Sequence, residues 1–184
     1  MCINQNLIIM ELTLAYYNDP ILRKKTERVN HIDDALRQLI YDMVETMHTM
    51  KGIGLAAPQV HHSISLFVTC VPVKNKNGLW ESGKDRVFIN PQILSMSEET
   101  QTFSEGCLSI PNLHMNVTRP AKITIQAVDL EGNLFEEIFT GLQATNFMHE
   151  YDHLNGILII DYYSLEERKS LEQLFSTSIQ SEKY

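Results

Sequence analysis

The chain has 184 residues, of which 43% are hydrophobic and 21% are charged, a composition typical of globular proteins and unlike disordered or collagen-like sequences. Its 15 Lys and Arg residues against 23 Asp and Glu residues leave a formal net charge of −8, which disfavours binding to nucleic acid or to anionic membranes, because both attract clustered cations. We therefore expect one globular domain over residues 1–184, with no nucleic-acid or membrane partner.

The cysteine content and the N-terminal stretch both indicate a cytoplasmic protein. Cys2, Cys70 and Cys107 are odd in number and widely spaced, which fits a reducing compartment better than a disulfide-stabilised one. The apolar run at residues 7–10 is too short for the core of a signal peptide, and no apolar run is long enough to predict a membrane-spanning helix. The sequence leaves open whether translation begins at Met1 or Met10.

Hydrophobic spacing predicts the first helix. Apolar residues recur at helical spacing from Ile32 to Met47, as on one face of an amphipathic helix. Asn30 is the candidate N-cap, with Asp33 and Asp34 in the first turn. The pair Lys51-Gly52 ends this helix, because glycine is common just past a helix C-terminus.

The middle of the chain has the composition of β-strands. Residues 64–73 and 86–94 are rich in Val, Ile and Phe and flank a turn-forming segment at 74–78, which predicts a long hairpin or an insertion. Residues 122–128 alternate between apolar and polar side chains, and 134–140 follow after a turn. This second pair predicts an antiparallel hairpin.

Helices return towards the C-terminus. Residues 141–154 predict a helix that Asn155-Gly156 closes, and the apolar run 157–160 predicts a short buried strand. Ser164-Leu-Glu-Glu167 is a capping box before a last helix, whose apolar side carries Leu171, Leu174 and Phe175. Strands in the middle with helices at the ends favour an α+β fold. We expect antiparallel β-sheets packed around a central helix, with N-terminal and C-terminal helices.

The central predicted helix carries the sequence His149-Glu-Tyr-Asp-His153. Residues four apart lie on one face of a helix, about 6 Å apart along its axis, so both imidazoles can reach one metal ion. Glu150 can then act on a metal-bound water, as in hydrolytic enzymes with an H-E-x-x-H motif. The alternative is an exposed helix that carries two histidines by accident.

A third ligand must come from elsewhere in the chain. Ile159 stands where metzincins carry their third histidine, and Glu172 is the candidate for a thermolysin-like ligand. The better candidate is Cys107, in the segment Glu105-Gly-Cys-Leu-Ser109, because a thiolate is a soft metal ligand. We expect Gly106 to permit an unusual backbone turn beside it.

Three segments together resemble the signature motifs of the peptide deformylase family, namely Gly52-Ile-Gly-Leu-Ala-Ala-Pro-Gln59, Glu105-Gly-Cys-Leu-Ser109 and His149-Glu-Tyr-Asp-His153. They occur in the family's order, and the resemblance extends from about Asp19 to Asp161. It implies a cytoplasmic hydrolase that removes the N-formyl group from the N-terminal methionine of newly synthesised polypeptides. The implied partners are N-formylmethionyl peptides or nascent chains, and the sequence leaves a monomer or a homodimer open.

The resemblance also implies roles for individual residues. One divalent metal ion, Fe(II) in the native enzyme with Zn(II) or Ni(II) as alternatives, would be held by three ligands, Cys107, His149 and His153. A metal-bound hydroxide would attack the formamide carbonyl, with Glu150 transferring the proton. The Gln59 amide and the Leu108 backbone N–H would stabilise the oxyanion. The substrate-binding residues would be Ile53, Gly54, Gly106, Leu142, Thr145 and Asn146.

Four residues depart from the family pattern, namely His114, Thr145, Asn146 and Met148. Helical spacing places residues 145 and 146 on the ligand face of the helix, where polar side chains should weaken or shift substrate binding while hydrolysis is retained. Glu105 and Arg119 resemble a pair that fixes the ligand segment through a bidentate bond. The remaining cysteines and the histidines His31, His48, His61 and His62 are expected to be structural or exposed.

Two other functions stay open at this point. A zinc peptidase of another H-E-x-x-H clan would retain peptidase activity after Cys107→Ala. A non-enzymatic protein that uses the fold to bind peptides is suggested by the departures around His149, whereas the presence of Glu150 and Gln59 favours an enzyme.

Overall fold

The computed structural model describes residues 10–178, and their side chains as far as Leu171. Predictions that concern Met1, Cys2 and the side chains of Glu172, Leu174 and Phe175 lie outside these described residues. Among the helices at residues 10–178, none has the length and apolar character needed to cross a membrane.

Residues 10–178 form nine strands and three α-helices, an α+β fold as predicted. In chain order they are α1 (Asp34–Thr49), β1 (Gly54–Ala56), β2 (Leu66–Thr69), β3 (Val73–Lys74), β4 (Trp80–Glu81), β5 (Arg86–Met96), β6 (Thr100–Cys107), β7 (Ile110–Pro120), β8 (Lys122–Val128), β9 (Leu134–Thr140), α2 (Gly141–Leu154) and α3 (Leu165–Ser178). Short 3-10 helices lie at Pro20–Arg23, Ala57–Val60 and Ile159–Tyr162.

A five-stranded antiparallel sheet has the strand order β1-β2-β5-β8-β9. The pairing of β2 with β5 confirms the predicted long hairpin, and β3 and β4 form a small hairpin inserted between them. The predicted pairing of β8 with β9 is also confirmed. A separate two-stranded sheet of β6 and β7 carries the Glu105-Gly-Cys segment, for which the sequence predicts a backbone turn at Gly106 and no strand.

Helices α1 and α2 cover opposite faces of the large sheet. Along β2, Leu66 and Val68 belong to the apolar cluster that contains the buried face of α1, whereas Phe67 belongs to the cluster that contains α2. This alternation follows from the period of two in a strand. A third apolar cluster joins the β6–β7 hairpin to residues 158–160. Helix α2 is therefore central, as predicted.

Of the two predicted ends of α1, the first is wrong and the second is confirmed. The N-cap of α1 is Asp33 rather than Asn30, because the Asp33 carboxylate accepts a hydrogen bond of 2.8 Å from the Leu36 N–H. The predicted end at Lys51-Gly52 is confirmed, since α1 ends at Thr49 and Lys51 has a left-handed backbone with φ of 56°. The Gly52 N–H still donates to the Met47 carbonyl at 2.9 Å, as in a Schellman motif.

The predicted strand at 157–160 is also wrong, since residues 159–162 form a 3-10 helix. The Asp161 carboxylate accepts a hydrogen bond from the Leu158 N–H at 2.9 Å, which closes a tight turn. The apolar run reflects burial against the β6–β7 hairpin, and apolar content alone does not distinguish a buried turn from a buried strand. The predicted ends of α2 and the Ser164–Glu167 capping box are confirmed.

Candidate active site

Helix α2 and the end of β6 bring three potential metal ligands together. His149 and His153 lie one turn apart on α2, and Cys107 is the last residue of β6. Their ligand atoms all lie within 4.8 Å of one another, and Cys107 Sγ is 3.3 Å from His153 Nε2. All three side chains are buried. The two histidines of α2 and the cysteine indicated by the sequence therefore lie close enough together to bind one metal ion.

A buried carboxylate orients the first histidine. His149 Nδ1 donates a hydrogen bond of 2.9 Å to Glu105 Oε2, which leaves Nε2 as the nitrogen available to a metal. Glu105 is in turn bound by Arg119 through two hydrogen bonds of 2.6 and 3.0 Å. Such carboxylate–histidine contacts hold a ligating imidazole in one tautomer and orientation. The expected Glu105–Arg119 pair is thus present and acts on His149.

Arg119 also ties the site to the C-terminal part of the chain. Its second terminal nitrogen donates to Asp152 Oδ2 and to the Tyr162 hydroxyl, each at 2.8 Å, and the Tyr162 hydroxyl donates to the same carboxylate oxygen.

Burial by itself raises the pKa of Glu105, but the hydrogen bonds from His149 and Arg119 outweigh burial and lower it. Glu105 is therefore an anion at neutral pH.

The electrostatics of the site suit a cation. Burial opposes protonation of His149. The hydrogen bonds of its side chain with Cys107 and Glu105 have a larger effect in the other direction, so the pKa of His149 is well above its ordinary value. Burial and the neighbouring His149 lower the pKa of His153, which keeps that imidazole neutral, as a metal ligand requires. A thiolate and two imidazoles form a donor set that fits Zn(II), Fe(II) or Ni(II) better than Mg²⁺ or Ca²⁺.

Glu150 is a buried carboxyl group beside these ligands. Burial raises its pKa to about 7, and its Oε2 atom has no hydrogen-bond partner. Gly54 on β1 makes room for it, because a β-carbon on Gly54 would overlap Glu150 Oε1 and lie 2.8 Å from Asn146 Nδ2. A carboxyl group with a pKa near neutrality and a free oxygen can accept and return a proton.

Gln59 is held with its amide N–H groups towards the ligands. Its Oε1 accepts a hydrogen bond of 2.8 Å from the Ala56 N–H, which fixes the orientation of the amide. Its Nε2 then donates to Ser109 Oγ at 3.2 Å and lies 3.6 Å from Cys107 Sγ. The position of Gln59 on a 3-10 helix next to β1 explains how a residue distant in sequence comes to face Cys107.

A cleft of about 470 Å³ unites most of the predicted site residues. Those that line it are Ile53, Gly54, Gln59, Gly106, Cys107, Leu108, Leu142, Thr145, Asn146, His149 and Glu150. Of the predicted set, His153 alone does not line it. Four apolar lining residues of the β6–β7 hairpin were not predicted, namely Phe103, Ile110, Pro111 and Leu113. For Phe103, its alternation with Glu105 and Cys107 was the available signal.

The expectation for the backbone at Gly106 is wrong. Gly106 lies within β6 and does not have a positive φ. Its missing side chain instead makes room for an imidazole, since a β-carbon there would lie 3.1 Å from His114 Nε2. His114 lines the cleft opposite Gly106.

The other departures from the family pattern have different surroundings. Thr145 Oγ1 accepts a hydrogen bond of 3.1 Å from Gln101. Asn146 Oδ1 is buried without a hydrogen-bond partner, and Asn146 lines the cleft. Met148 packs in the apolar cluster between α2 and the sheet. Among these departures, Asn146 is therefore the one that places an unpartnered polar atom at the cleft, beside the equally unpartnered Oε2 of Glu150.

Comparison with known proteins gives a consistent result. The family model described as polypeptide deformylase matches residues 11–169. A peptide deformylase of Pseudomonas aeruginosa is 42% identical over 162 residues, which are 88% of this chain and 92% of that protein. The crystal structure of a peptide deformylase from Ehrlichia chaffeensis is 32% identical with a TM-score of 0.87, covering 94% of this chain and 99% of that one.

A second solved structure was determined with a peptide bound. It is a class I type b peptide deformylase from Acinetobacter baumannii with Met-Ala-Ser bound, 31% identical, with a TM-score of 0.78 over 85% of this chain and 100% of that one. These relatives match the chain over most of its length and over nearly all of their own.

Proposed function

This chain belongs to the polypeptide deformylase family of enzymes, and on that premise we propose that it removes the N-formyl group from the N-terminal methionine of newly synthesised polypeptides. The observation that carries the proposal is the cluster of Cys107, His149 and His153 beside the buried Glu150. Residues 1–184 would form a single catalytic domain that acts in the cytoplasm.

Cys107, His149 and His153 would hold one divalent metal ion. Fe(II) is the proposed native ion, with Zn(II) or Ni(II) as functional alternatives, because a thiolate and two imidazoles accept all three. When bound, the ion supplies Lewis-acid activation of water at neutral pH. Glu105 and Arg119 would keep His149 oriented towards it.

Glu150 would move the proton during hydrolysis. Its carboxyl group has a free oxygen and a pKa of about 7, raised by burial. A group whose pKa is close to the working pH can both accept the proton of the attacking water and deliver it to the departing amine. Among the described residues, the other acidic side chain that lines the cleft is Glu105, whose pKa is lowered and whose oxygens are both hydrogen-bonded.

Gln59 and Leu108 would stabilise the oxyanion that forms when water adds to the formyl carbonyl. The Gln59 amide is fixed by the Ala56 N–H, so its donor end needs no reorientation. Leu108 lies in the turn between β6 and β7, next to Cys107, and lines the same cleft. Fixed donors of this kind commonly contribute about 2.7–4 kcal/mol of transition-state stabilisation each.

The cleft would bind the N-terminal end of a formylated chain. We propose that Ile53, Gly54, Gly106, Leu142, Thr145 and Asn146 contact this substrate. The Met-Ala-Ser bound by the Acinetobacter baumannii relative is the peptide that deformylation of formyl-Met-Ala-Ser would leave. The apolar hairpin residues Phe103, Ile110 and Leu113 would cover the peptide from the other side.

The test is the release of formate from formyl-Met-Ala-Ser by protein loaded anaerobically with Fe(II) or Ni(II), since Fe(II) and the Cys107 thiolate both oxidise in air. We expect turnover in the unchanged protein and a loss of about 10²–10⁴-fold in Glu150→Ala, with the metal content of the variant unchanged. Absence of turnover in metal-loaded unchanged protein would contradict the proposal, and peptidase activity that survives Cys107→Ala would indicate a different zinc peptidase.

A further inference from the structure

A second group of potential metal ligands lies outside the cleft and consists of His48, Cys70 and Asp85. His48 is in the last turn of α1, Cys70 follows β2, and Asp85 precedes β5. Their ligand atoms all lie within 4.8 Å of one another, and His48 Nε2 is 2.7 Å from Asp85 Oδ1. Three elements that are distant in sequence thus present a thiol, an imidazole and a carboxylate at one point.

The cysteine of this group has polar surroundings. The Cys70 side chain is buried, yet Sγ lies 3.5 Å from the Gly83 carbonyl oxygen and 3.8 Å from Ser82 Oγ. The side chains of His48 and Asp85 are 43% and 48% exposed. The cluster therefore has a buried sulfur at its base, a backbone carbonyl at its side and an opening to solvent through which an ion can enter.

The segment that carries Asp85 is built to approach Cys70 closely. A β-carbon on Gly83 would overlap the backbone carbonyl of Val71, so only glycine allows the segment to lie against the residue that follows Cys70. This close approach puts the Gly83 carbonyl beside the thiol and Asp85 beside His48. The convergence is thus a property of the backbone and not of surface side chains alone.

We propose that His48, Cys70 and Asp85 form a second metal site, which takes Zn²⁺ and has a structural role. One thiolate, one imidazole and one carboxylate are typical zinc ligands, and the Gly83 carbonyl or a water supplies the fourth position of a tetrahedron. The same donor set is unsuited to Ca²⁺ or Mg²⁺, which take six or more oxygen ligands. This site is separate from the one proposed for catalysis.

A metal ion at this site would stabilise one wall of the cleft. Residues 50–54, which begin two positions after His48, line the cleft, and the Cys70 N–H donates to the Ile53 carbonyl at 2.9 Å. The ion would join the end of α1, the end of β2 and the segment at 82–85. Because a ligand that binds only the folded state stabilises it, Zn²⁺ at a hundredfold excess over its dissociation constant should raise Tm by about 5–10 °C through this site.

The first test counts zinc after equilibrium dialysis of the full chain, by elemental analysis. We expect two equivalents in the unchanged protein, one in Cys70→Ala, one in Cys107→Ser and none in the double variant. His48→Gln and Asp85→Asn change only exposed side chains and should also bind one equivalent. The matched control is His62→Gln, an exposed histidine outside the cluster, which should retain two.

The second test uses Co²⁺ as a spectroscopic probe in the Cys107→Ser variant. We expect a thiolate-to-cobalt charge-transfer band that disappears when Cys70→Ala is added and persists when Cys2→Ser is added. Retention of two zinc equivalents in Cys70→Ala, or a cobalt spectrum that does not change, would overturn the second site. Failure of the catalytic metal proposal gives a different result, because zinc content would then be insensitive to Cys107→Ser.

Discussion

At the scale of single residues, the two ends of the Gln59 amide have different surroundings, since Oε1 accepts from the backbone and Nε2 donates towards the ligand segment. The Ala56 N–H binds Oε1, so the donor end faces Cys107 and Ser109. A glutamate at this position can still accept the Ala56 hydrogen bond, but its carboxylate donates none. The change therefore separates the structural role of residue 59 from the proposed catalytic one.

For Gln59→Glu we expect kcat for formyl-Met-Ala-Ser to fall by about 10²–10³-fold, with a smaller change in KM, because an oxyanion donor acts mainly in the transition state. Steady-state formate release measures both constants. Metal content and the unfolding midpoint of the variant serve as controls for an intact site. A kcat equal to that of the unchanged protein would exclude Gln59 as an oxyanion donor.

Asn146 differs from Thr145 in that its Oδ1 atom is buried without a partner. An apolar substrate side chain gains less by packing against this polar atom than against an apolar wall, a difference on the order of 1 kcal/mol per buried CH₂ group. We therefore expect Asn146→Ala to lower KM for formyl-Met-Ala-Ser by about fivefold or more. Thr145→Val is the matched control, because Gln101 already occupies the Thr145 hydroxyl. An unchanged KM in Asn146→Ala would show that residue 146 does not weaken substrate binding.

At the scale of elements, α2 and β1 depend on each other. Helix α2 presents His149, Glu150 and His153 at the site while Phe147 and Met148 pack into the core. Strand β1 passes so close to α2 that Gly54 is the residue that makes room for the Glu150 carboxyl group. The motif on the helix therefore functions only with a glycine on the neighbouring strand.

Gly54→Ala should displace the Glu150 carboxyl group and lower kcat, since a misplaced catalytic group can cost about 10²-fold. The double variant Gly54→Ala, Glu150→Ala is the control, because the alanine at 54 has no carboxyl group left to displace. We expect its formate release to equal that of Glu150→Ala, a non-additivity that indicates direct contact. Additive losses would mean that Gly54→Ala acts elsewhere, for example on the substrate.

At the scale of the whole molecule, Arg119 connects three parts of the fold. It lies on β7 and binds Glu105 on β6, Asp152 on α2 and Tyr162 in the last 3-10 helix. Burial disfavours the charged form of Arg119. The hydrogen bond with Glu105 and the negative charge of Asp152 have a larger, opposite effect and raise the pKa of Arg119. The guanidinium is 3% exposed, so its removal leaves buried carboxylates without a counter-charge.

We expect Arg119→Ala to lower the free energy of unfolding by about 3–5 kcal/mol, the usual cost of removing one member of a buried ion pair. Urea denaturation at neutral pH measures this difference. Arg23→Ala is the control, because Arg23 pairs with Asp161 at the surface and such a pair contributes about 0–1 kcal/mol. Equal losses in the two variants would mean that the Arg119 network does not stabilise the fold.

The sequence by itself predicted the α+β class, the helix at 141–154, the β8–β9 hairpin and the family. These features depend on local patterns, because a helical spacing of four places His149 and His153 on one face and a period of two identifies a strand. It also indicated Cys107, Glu150 and Gln59 through short motifs, and the cleft contains all three.

Only the tertiary structure decided which distant residues meet. The pairing of β6 with β7 and the 3-10 helix at residues 159–162 are visible only in the folded chain. The same holds for the hydrogen bond between Glu105 and His149 and for the space that Gly54 leaves for Glu150. The tertiary structure also brought His48, Cys70 and Asp85 together from three elements, where no motif connects them. Local periodicity constrains an element and its buried face, whereas contacts between elements depend on how those faces pack, which no short stretch of sequence encodes.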